Sequence, residues 1–307
     1  MQKPSVFNKL LCIALAVISL ALSACTAESE IVEAKPVKSW NPAEVKLPQR
    51  SESSAYEQVM LYYDGLLADK AVLKNGLLYV SPESISDYYG LELSCTIEDR
   101  SFHLQGMGLQ LSGEKQNEYM IANNRYLYSP EGYVVDKGRL YLPEAIIEKV
   151  FGIKLTAFGQ PMQLEISSQE LNIIKGGSNY YEINFNTEDL FWLPRIIYAE
   201  TRDQPMAGLI GVGNVIYNRV NHELFPDTVF EVIFDNEYAV QFTPAATGAV
   251  MGEPDERSVV AAYLCLEGYN TVGDSLYFVN PDKGKSAWFE EKLQFVCSIG
   301  DHDFYAG

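Results

Sequence analysis

The chain has little positive charge and very little histidine. Its 307 residues include 23 Lys and Arg against 41 Asp and Glu, for a net charge of -18, and only 3 His. Binding to nucleic acid or to an anionic lipid surface depends on Lys and Arg. The charge balance therefore argues against nucleic acid as a partner and against electrostatic docking on a membrane. Hydrophobic residues make up 47% of the chain, which is enough for one large core or two modest ones.

The motifs of several enzyme classes are also missing. There is no HExxH, and His222 and His302 are too few and too scattered for a zinc site, so we expect no metal and no other cofactor. No G-x-S-x-G serine elbow occurs. The spacing of Cys297 and His302 shows no Cys–His nucleophile. The glycines within residues 208–213 do not form a dinucleotide loop, because no strand precedes them and the G-x-G-x-x-G order is absent.

Long apolar runs are scarce, and the run at residues 10–22 is too short for a comfortable membrane span. It follows a short basic start and ends in Leu-Ser-Ala-Cys at residues 22–25, which is typical of a bacterial lipoprotein signal. We predict that residues 1–24 are removed and that lipid on Cys25 anchors the protein outside the cytoplasmic membrane. The alternative is an ordinary secretory signal with a chance cysteine.

Beyond that signal only three cysteines remain: Cys95, Cys265 and Cys297. At most one disulfide can form among three, and Cys265 with Cys297 is the candidate pair because both lie in the same predicted domain. The alternative, which we favour, is that all three are buried thiols acting as small apolar side chains.

An internal repeat follows a predicted flexible tether. Residues 25–54 are rich in Glu, Pro, Ser and Lys and have little to bury. After them, residues 75–93 (NGLLYVSPESISDYYGLEL) align without gaps on residues 137–155 (KGRLYLPEAIIEKVFGIKL). Each unit predicts a turn glycine, a short strand, a helix of about two turns, a glycine stop and another strand. We therefore predict an α+β domain of two related halves over residues 55–168.

This repeat pattern resembles the copper-amine-oxidase N-terminal-like domain, a stalk or accessory module of bacterial surface proteins. No copper is expected, because His103 is the only histidine of the region and a lone histidine on a strand is more often structural. We interpret the domain as a spacer or binding module without chemistry that folds by itself. A glycine-containing joint, residues 169–186, connects it to the next domain.

Residues 187–307 predict a mainly helical domain with a small β element. A first helix begins near Thr187 and carries an apolar stripe through Leu193 and Ile197 to Glu200, with Pro194 expected to interrupt or kink it. Apolar surroundings disfavour the ionised form of a carboxyl group, which suits it to donate a proton near neutral pH. The alternative is a solvated glutamate at a helix end with no special role.

The connecting segments of this domain are rich in amide and aromatic side chains, the groups with which proteins commonly bind sugars. Our candidates for holding a sugar substrate are Gln241, Tyr277, Asn280, Trp288, Tyr305 and, less strongly, His302. For His302 the alternative is a hydrogen bond to the chain terminus.

Six ordered stretches resemble the catalytic domain of SleB-type cell wall hydrolases, the spore-cortex-lytic family. The stretches are IYAETR (197–202), GLIGVGNVIYNRV (208–220), FPDTVFEVI (225–233), QFTP (241–244), LYFVNP (276–281) and IGDHDFY (299–305). The resemblance implies a lysozyme-like, mainly α fold and cleavage of peptidoglycan between muramic acid and glucosamine. It also implies a single catalytic glutamate, which falls on Glu200.

The chain departs from this family at several positions. The family motif commonly continues Ala-Arg-Gly-Glu-Pro, whereas residues 201–205 read Thr-Arg-Asp-Gln-Pro, so a second carboxylate is lost at Gln204. Pro194 and Asp301 are also unusual. With one glutamate, a lytic transglycosylase acting on peptidoglycan is the expected function, because two-carboxylate schemes need a partner. The alternatives are plain hydrolysis, with Asp203 or another acid activating water, and a wall-binding lipoprotein without turnover.

Overall fold

The structure is a computed structural model that describes residues 56–167, 169–177, 186–236, 241–283 and 286–307. The predicted lipoprotein signal, Cys25 and the tether lie outside the described residues. All described residues fall in one compact unit. Within these ranges no helix is long and apolar enough to cross a membrane.

The N-terminal part is built on two sheets. Its strands are β1 (Glu57–Tyr63), β2 (Leu66–Lys74), β3 (Leu77–Val80), β4 (Ser94–Ile97), β5 (Ser101–Gly106), β6 (Leu109–Glu114), β7 (Tyr119–Ala122), β8 (Arg125–Tyr128), β9 (Val134–Asp136), β10 (Arg139–Pro143), β11 (Leu155–Phe158) and β12 (Gln163–Ile166). One sheet has the order β11-β12-β1-β2-β3-β10-β9, with β1 and β12 parallel and the other pairs antiparallel. Strands β4 to β8 form an antiparallel sheet in chain order.

Two short helices give the repeat its form. Helix α1 (Pro82–Tyr89) follows β3 and helix α2 (Glu144–Phe151) follows β10, and these two strands pair antiparallel. Each helix ends at a left-handed glycine, Gly90 with φ 64° and Gly152 with φ 66°, a conformation that glycine adopts without steric cost. Both units therefore have the predicted order of strand, helix and glycine stop.

The C-terminal part is mainly helical, as predicted, with a small sheet. Its helices are α3 (Asp189–Thr201), α4 (Met206–Val220), α5 (Val229–Phe234), α6 (Thr243–Thr247), α7 (Glu256–Leu266) and α8 (Ser286–Lys292). Strands β13 (Tyr277–Val279), β14 (Gln294–Ile299) and β15 (His302–Ala306) form an antiparallel sheet in the order β13-β15-β14. A capping box opens α5: the Thr228 hydroxyl accepts a hydrogen bond from the Glu231 backbone N–H at 3.1 Å.

Helix α4 lies at the centre of this domain, and two of its glycines allow neighbours to approach closely. A Cβ at Gly211 would lie 2.8 Å from Val272, and one at Gly213 would lie 2.5 Å from the Cys265 sulfur. Any larger side chain would therefore push α7 or the segment before β13 away from α4.

The prediction that Pro194 interrupts α3 is wrong, while the kink that was the other expectation stays a prediction. The helix is continuous from Asp189 to Thr201, and Pro194 is buried inside it. Pro194 is only six positions into the helix, so its missing N–H removes one hydrogen bond near the start while the later turns continue. The fully buried side chains of Leu193, Ile196 and Ile197 hold the helix against the core.

The cysteines are free thiols in the structure, and the alternative disulfide between Cys265 and Cys297 is not formed. Cys265 is buried against α4, where its thiol donates to the Ile210 carbonyl at 3.4 Å. Burial raises the pKa of the Cys265 thiol well above its usual range. Cys95 and Cys297 are half-buried. Only Cys265 is therefore the buried thiol that the favoured alternative predicted for all three cysteines.

The two parts of the chain are joined by a contact between β8 and α7. The Arg125 guanidinium binds both carboxylate oxygens of Glu267, at 2.8 and 2.6 Å, and the Glu267 side chain is only 1% exposed. Beside this pair, Tyr126 stacks on Tyr263 with ring centroids 5.3 Å apart. A bidentate, largely buried ion pair fixes the orientation of its two partners. The N-terminal part is thus docked on the helical part.

Candidate active site

Glu200 lies one residue before the end of α3, at the border between core and solvent. The helix packs against α4, α5, α6 and α7, and the stripe that precedes Glu200 is fully buried through Leu193 and Ile197. Glu200 itself is half-buried. The next residue, Thr201, turns its hydroxyl back to the Ile197 carbonyl at 2.7 Å. A carboxylate on a well-packed helix end is held in place while part of it stays accessible.

The turn after Glu200 contains Gln204, whose side chain forms hydrogen bonds with the turn between β14 and β15. The Gln204 Oε1 accepts from the Asp301 backbone N–H at 2.8 Å, and its Nε2 donates to the Asp301 carboxylate at 3.0 Å. The Gln204 carbonyl accepts from Arg257 at 2.9 Å. A Cβ at Gly300 would lie 2.0 Å from the Gln204 side-chain oxygen, so only glycine fits beneath it. The two departures noted in the sequence, Gln204 and Asp301, are therefore bonding partners.

All three aromatic candidates, Tyr277, Trp288 and Tyr305, belong to one ring cluster around Phe289. Its ring lies 5.3 Å from Trp288, 5.7 Å from Tyr305 and 6.3 Å from Tyr277. Trp288 is 55% exposed and Tyr277 is half-buried, so both offer surface to a ligand. Tyr305 is only 1% exposed. Its predicted role in contacting sugar is therefore corrected to support of the cluster from below, because it pairs with Tyr277 between β13 and β15.

His302 is also buried, at 7% exposure, and its ring packs 5.3 Å from Phe278 and 6.3 Å from Phe304. Its burial at the start of β15 leaves little of its side chain accessible to a ligand. The prediction that His302 contacts substrate directly is thus corrected, because the aromatic rings of the core cover it.

The two amide candidates lie on segments that border the helices. Gln241 is half-buried and directly precedes Phe242 and α6, which packs against α3. Asn280 follows β13, and its side-chain oxygen accepts from the Asp282 backbone N–H at 3.0 Å. That hydrogen bond shapes the turn at residues 281–283 and leaves Asn280 half-buried. Both amides are therefore held by local structure near the aromatic cluster or the α3 end of the domain.

Arg219 is a buried cation that sequence reasoning missed. It is 4% exposed at the end of α4, and its Nε donates to the Leu276 carbonyl at 2.7 Å. Its guanidinium lies 4.9 Å from the ring of Phe225 and 5.3 Å from the rings of Phe242 and Tyr277. Burial lowers the pKa of Arg219 to about 10, which still leaves it charged at neutral pH. A cation attracts the faces of aromatic rings. Arg219 therefore stabilises the packing of the segments that carry Gln241 and Tyr277 against the end of α4.

A signal for Arg219 was present in the sequence. The stretch GLIGVGNVIYNRV is apolar almost throughout, and its single arginine stands one residue before the end of α4. A charged residue in an apolar helix is seldom buried without a partner. The partners here are rings from three distant segments, which sequence spacing does not reveal. Among the described residues no group of three His, Cys, Asp or Glu side chains is placed to hold a metal ion.

Comparison with known proteins identifies the domain. Residues 203–305 match the family model described as Cell Wall Hydrolase. The spore cortex-lytic enzyme of Oceanobacillus iheyensis is 35% identical over 120 residues, which are 39% of this chain and 42% of that protein. The spore cortex-lytic enzyme of Bacillus subtilis is 33% identical over 120 residues, 39% of this chain and 38% of that protein. The chain thus matches about two fifths of the length of these relatives.

A solved structure is also similar. The catalytic domain of the germination-specific lytic transglycosylase SleB from Bacillus anthracis matches with 31% identity and a TM-score of 0.37, over 41% of this chain and 99% of that one. Residues 203–305 therefore match the Cell Wall Hydrolase family, and this part of the chain has spore cortex-lytic homologues. The family match begins three residues after Glu200, so the role of Glu200 depends on its own surroundings.

Proposed function

We propose that the protein cleaves the glycan strand of peptidoglycan and that Glu200 carries the proton. The observation that carries the proposal is a half-buried glutamate at the end of a packed helix, directly before the cell wall hydrolase match at residues 203–305. The relatives named as spore cortex-lytic enzymes, and the solved one named as a lytic transglycosylase, support this reaction class.

The mechanism that fits best is that of a lytic transglycosylase. Glu200 donates its proton to the glycosidic oxygen as the bond from that oxygen to C1 of muramic acid breaks. The Glu200 carboxylate then accepts the proton of the C6 hydroxyl, whose oxygen attacks C1 and closes a 1,6-anhydro ring. The proton lost in the first step is regained in the second, so one carboxyl group serves for both.

Two other acids belong to the turn after Glu200 or bind a residue of it. The Asp301 carboxylate accepts a hydrogen bond from Gln204, and Asp203 is exposed on the turn. Gln204 has a structural task of its own, so its presence is no longer a reason to infer a protein that binds the wall without cleaving it. Trp288 and Tyr277 would stack on sugar rings, with Gln241 and Asn280 as amide contacts.

The test combines turnover with product analysis. Purified protein mixed with peptidoglycan should lower the turbidity and release muropeptides with anhydro-muramic ends, one water lighter than reducing ends. Glu200→Gln should lower turnover at least about a hundredfold, since that is the lower range for loss of a general acid/base. Glu223→Gln, at an exposed glutamate of the same domain, is the control and should retain activity.

Each other outcome points to a different answer. Reducing ends alone would show hydrolysis with Glu200 as the acid. Full activity of Glu200→Gln would remove Glu200 from the mechanism. Binding of the wild-type protein to peptidoglycan without release of fragments would make it a wall-binding protein.

The proposal includes attachment to the membrane through lipid on Cys25, because the Leu-Ser-Ala-Cys sequence follows a short apolar run. Cys25→Ser should move the protein from the membrane fraction to the soluble fraction, or leave an uncut precursor. Ser23→Thr, which leaves the cysteine in place, is the control. Normal processing and an unchanged membrane fraction of Cys25→Ser would refute lipid attachment at this residue.

A further inference from the structure

A cleft of about 700 Å³ lies between the N-terminal strands and the helical domain, and Glu200 does not line it. One wall comes from β5 to β7 and includes His103, Ser112 and Tyr119; the other comes from the starts of α4 and α7 and includes Met206 and Arg257. Its volume is within the range of ligand sites, which occur preferentially at junctions between domains. The cleft is therefore large enough for a short peptide or a disaccharide.

The walls of the cleft are fixed relative to each other. Tyr126 lies between Tyr119 of one wall, at 5.5 Å, and Tyr263 of helix α7, at 5.3 Å. The buried pair of Arg125 and Glu267 holds the same two elements together. A site that exists before its ligand arrives avoids the cost of ordering it on binding. The cleft is thus preformed.

The cleft has a polar lining with negative charge on both walls and one positive charge, from Arg257, on the helical wall. Glu114 and Glu118 lie on the strand side, and Glu256 and Arg257 lie on α7. None of these four forms an ion pair with another described residue. Tyr119 lines the cleft together with Glu114 of the strand side and Glu256 of α7. Burial raises the pKa of Tyr119, and Glu256 and Glu114 raise it further. Such a lining suits a ligand with an ammonium group and a carboxylate.

The cleft adjoins the catalytic end of α3. Pro205, which lines it, is five residues after Glu200, and five residues span at most about 18 Å. Arg257 of the cleft binds the carbonyl of Gln204, which holds the turn after Glu200. A polymer that crosses Glu200 can therefore place a side branch in the cleft. The side branches of peptidoglycan are short peptides that end in a carboxylate and, at an uncrosslinked diamino acid, present an ammonium group.

We infer that this cleft binds the peptide stems of peptidoglycan while Glu200 acts on the glycan, an inference that rests on the proposed function. Glutamates of both walls bind the ammonium group, and Arg257 attracts the carboxylate. The N-terminal domain is then part of the substrate site and selects glycan that bears peptides.

The experiment compares two substrates and two double variants of the full chain. The substrates are glycan strands that carry their stems and strands from which an amidase has removed them. In Glu114→Gln/Glu256→Gln, the ratio of kcat/KM for stem-bearing over stem-free glycan should fall at least about tenfold, which corresponds to about 1.4 kcal/mol. Glu131→Gln/Glu223→Gln removes the same charge at exposed sites outside the cleft and should keep the wild-type ratio.

A direct titration separates this inference from the proposed function. In calorimetry, a free stem tetrapeptide that contains a diamino acid should bind the wild-type protein. It should bind the Glu114→Gln/Glu256→Gln variant at least about tenfold more weakly. No binding to the wild type, or an equal ratio in both double variants, would overturn the cleft as a peptide site even if the glycan is cleaved. Failure to cleave either glycan would refute the proposed function, whatever the tetrapeptide does.

Discussion

At the scale of single residues, Gln204 stands where the family commonly has a glutamate, and it is hydrogen-bonded to a second unusual residue, Asp301. Its amide donates to the Asp301 carboxylate and accepts from the Asp301 backbone, 97 residues away in the chain. A glutamate at residue 204 would keep the acceptor but place its charge against that of Asp301. The pair of departures therefore acts as one unit that positions the turn after Glu200.

Gln204→Glu should lower the free energy of unfolding by about 1 kcal/mol, because a hydrogen bond is replaced by repulsion between two partly solvated carboxylates. The double variant Gln204→Glu/Asp301→Asn restores a donor opposite the new carboxylate and should recover most of the loss. Urea unfolding of the two single variants and the double variant measures the coupling between the residues. Additive effects would show that the side chains do not interact.

At the scale of elements, two glycines of the repeat differ in how much stability their replacement should cost. Gly138 and Gly152 flank the second unit, both at positive φ. A Cβ at Gly138 meets nothing within 4 Å, whereas one at Gly152 would lie 2.6 Å from the Asn172 carbonyl oxygen. Residue 138 therefore requires glycine only because of its positive φ. Residue 152 requires glycine for the same reason and also because the backbone at Asn172 leaves no space for a Cβ.

Gly138→Ala should cost about 1 kcal/mol of unfolding free energy, the cost of a left-handed alanine. Gly152→Ala should cost clearly more, because backbone atoms must also move. Denaturant unfolding monitored by circular dichroism compares the two variants directly. Equal losses would mean that the segment around Asn172 yields without cost, and that the helix stop depends on φ alone.

The same elements show what the sequence can and cannot predict. Turn glycines act through neighbouring residues, so the order of strand, helix and glycine stop in both units of the repeat was predicted correctly. The interruption expected at Pro194 does not occur, because tertiary packing of α3 outweighs a local loss of one hydrogen bond. Other features depend on contacts between residues that are far apart in the chain, and no local sequence pattern predicts such contacts. They are the hydrogen bonds between Gln204 and Asp301, the aromatic rings around Arg219, and the burial of Tyr305 and His302.

At the scale of the whole molecule, the contact between the two domains decides whether the N-terminal domain is a passive spacer. Glu267 is almost completely buried by a partner from the other domain, with Lys149 4.0 Å away as its second cation. Loss of one member of a buried ion pair leaves the other charge poorly compensated. A pair of this kind makes the stability of the helical domain depend on the N-terminal domain.

Arg125→Met in the full chain should therefore lower the free energy of unfolding by about 2 kcal/mol, less than the full penalty for a buried pair because Lys149 still faces Glu267. Arg125→Met/Glu267→Met, which removes both charges and fills the space with apolar atoms, should recover most of the loss. Arg100→Met, at an exposed arginine of the same domain, is the control and should stay within about 0.5 kcal/mol of the wild type. Urea unfolding of the three variants provides the measurement. If Arg125→Met behaves like Arg100→Met, the ion pair does not hold the domains together, and the walls of the cleft are free to separate.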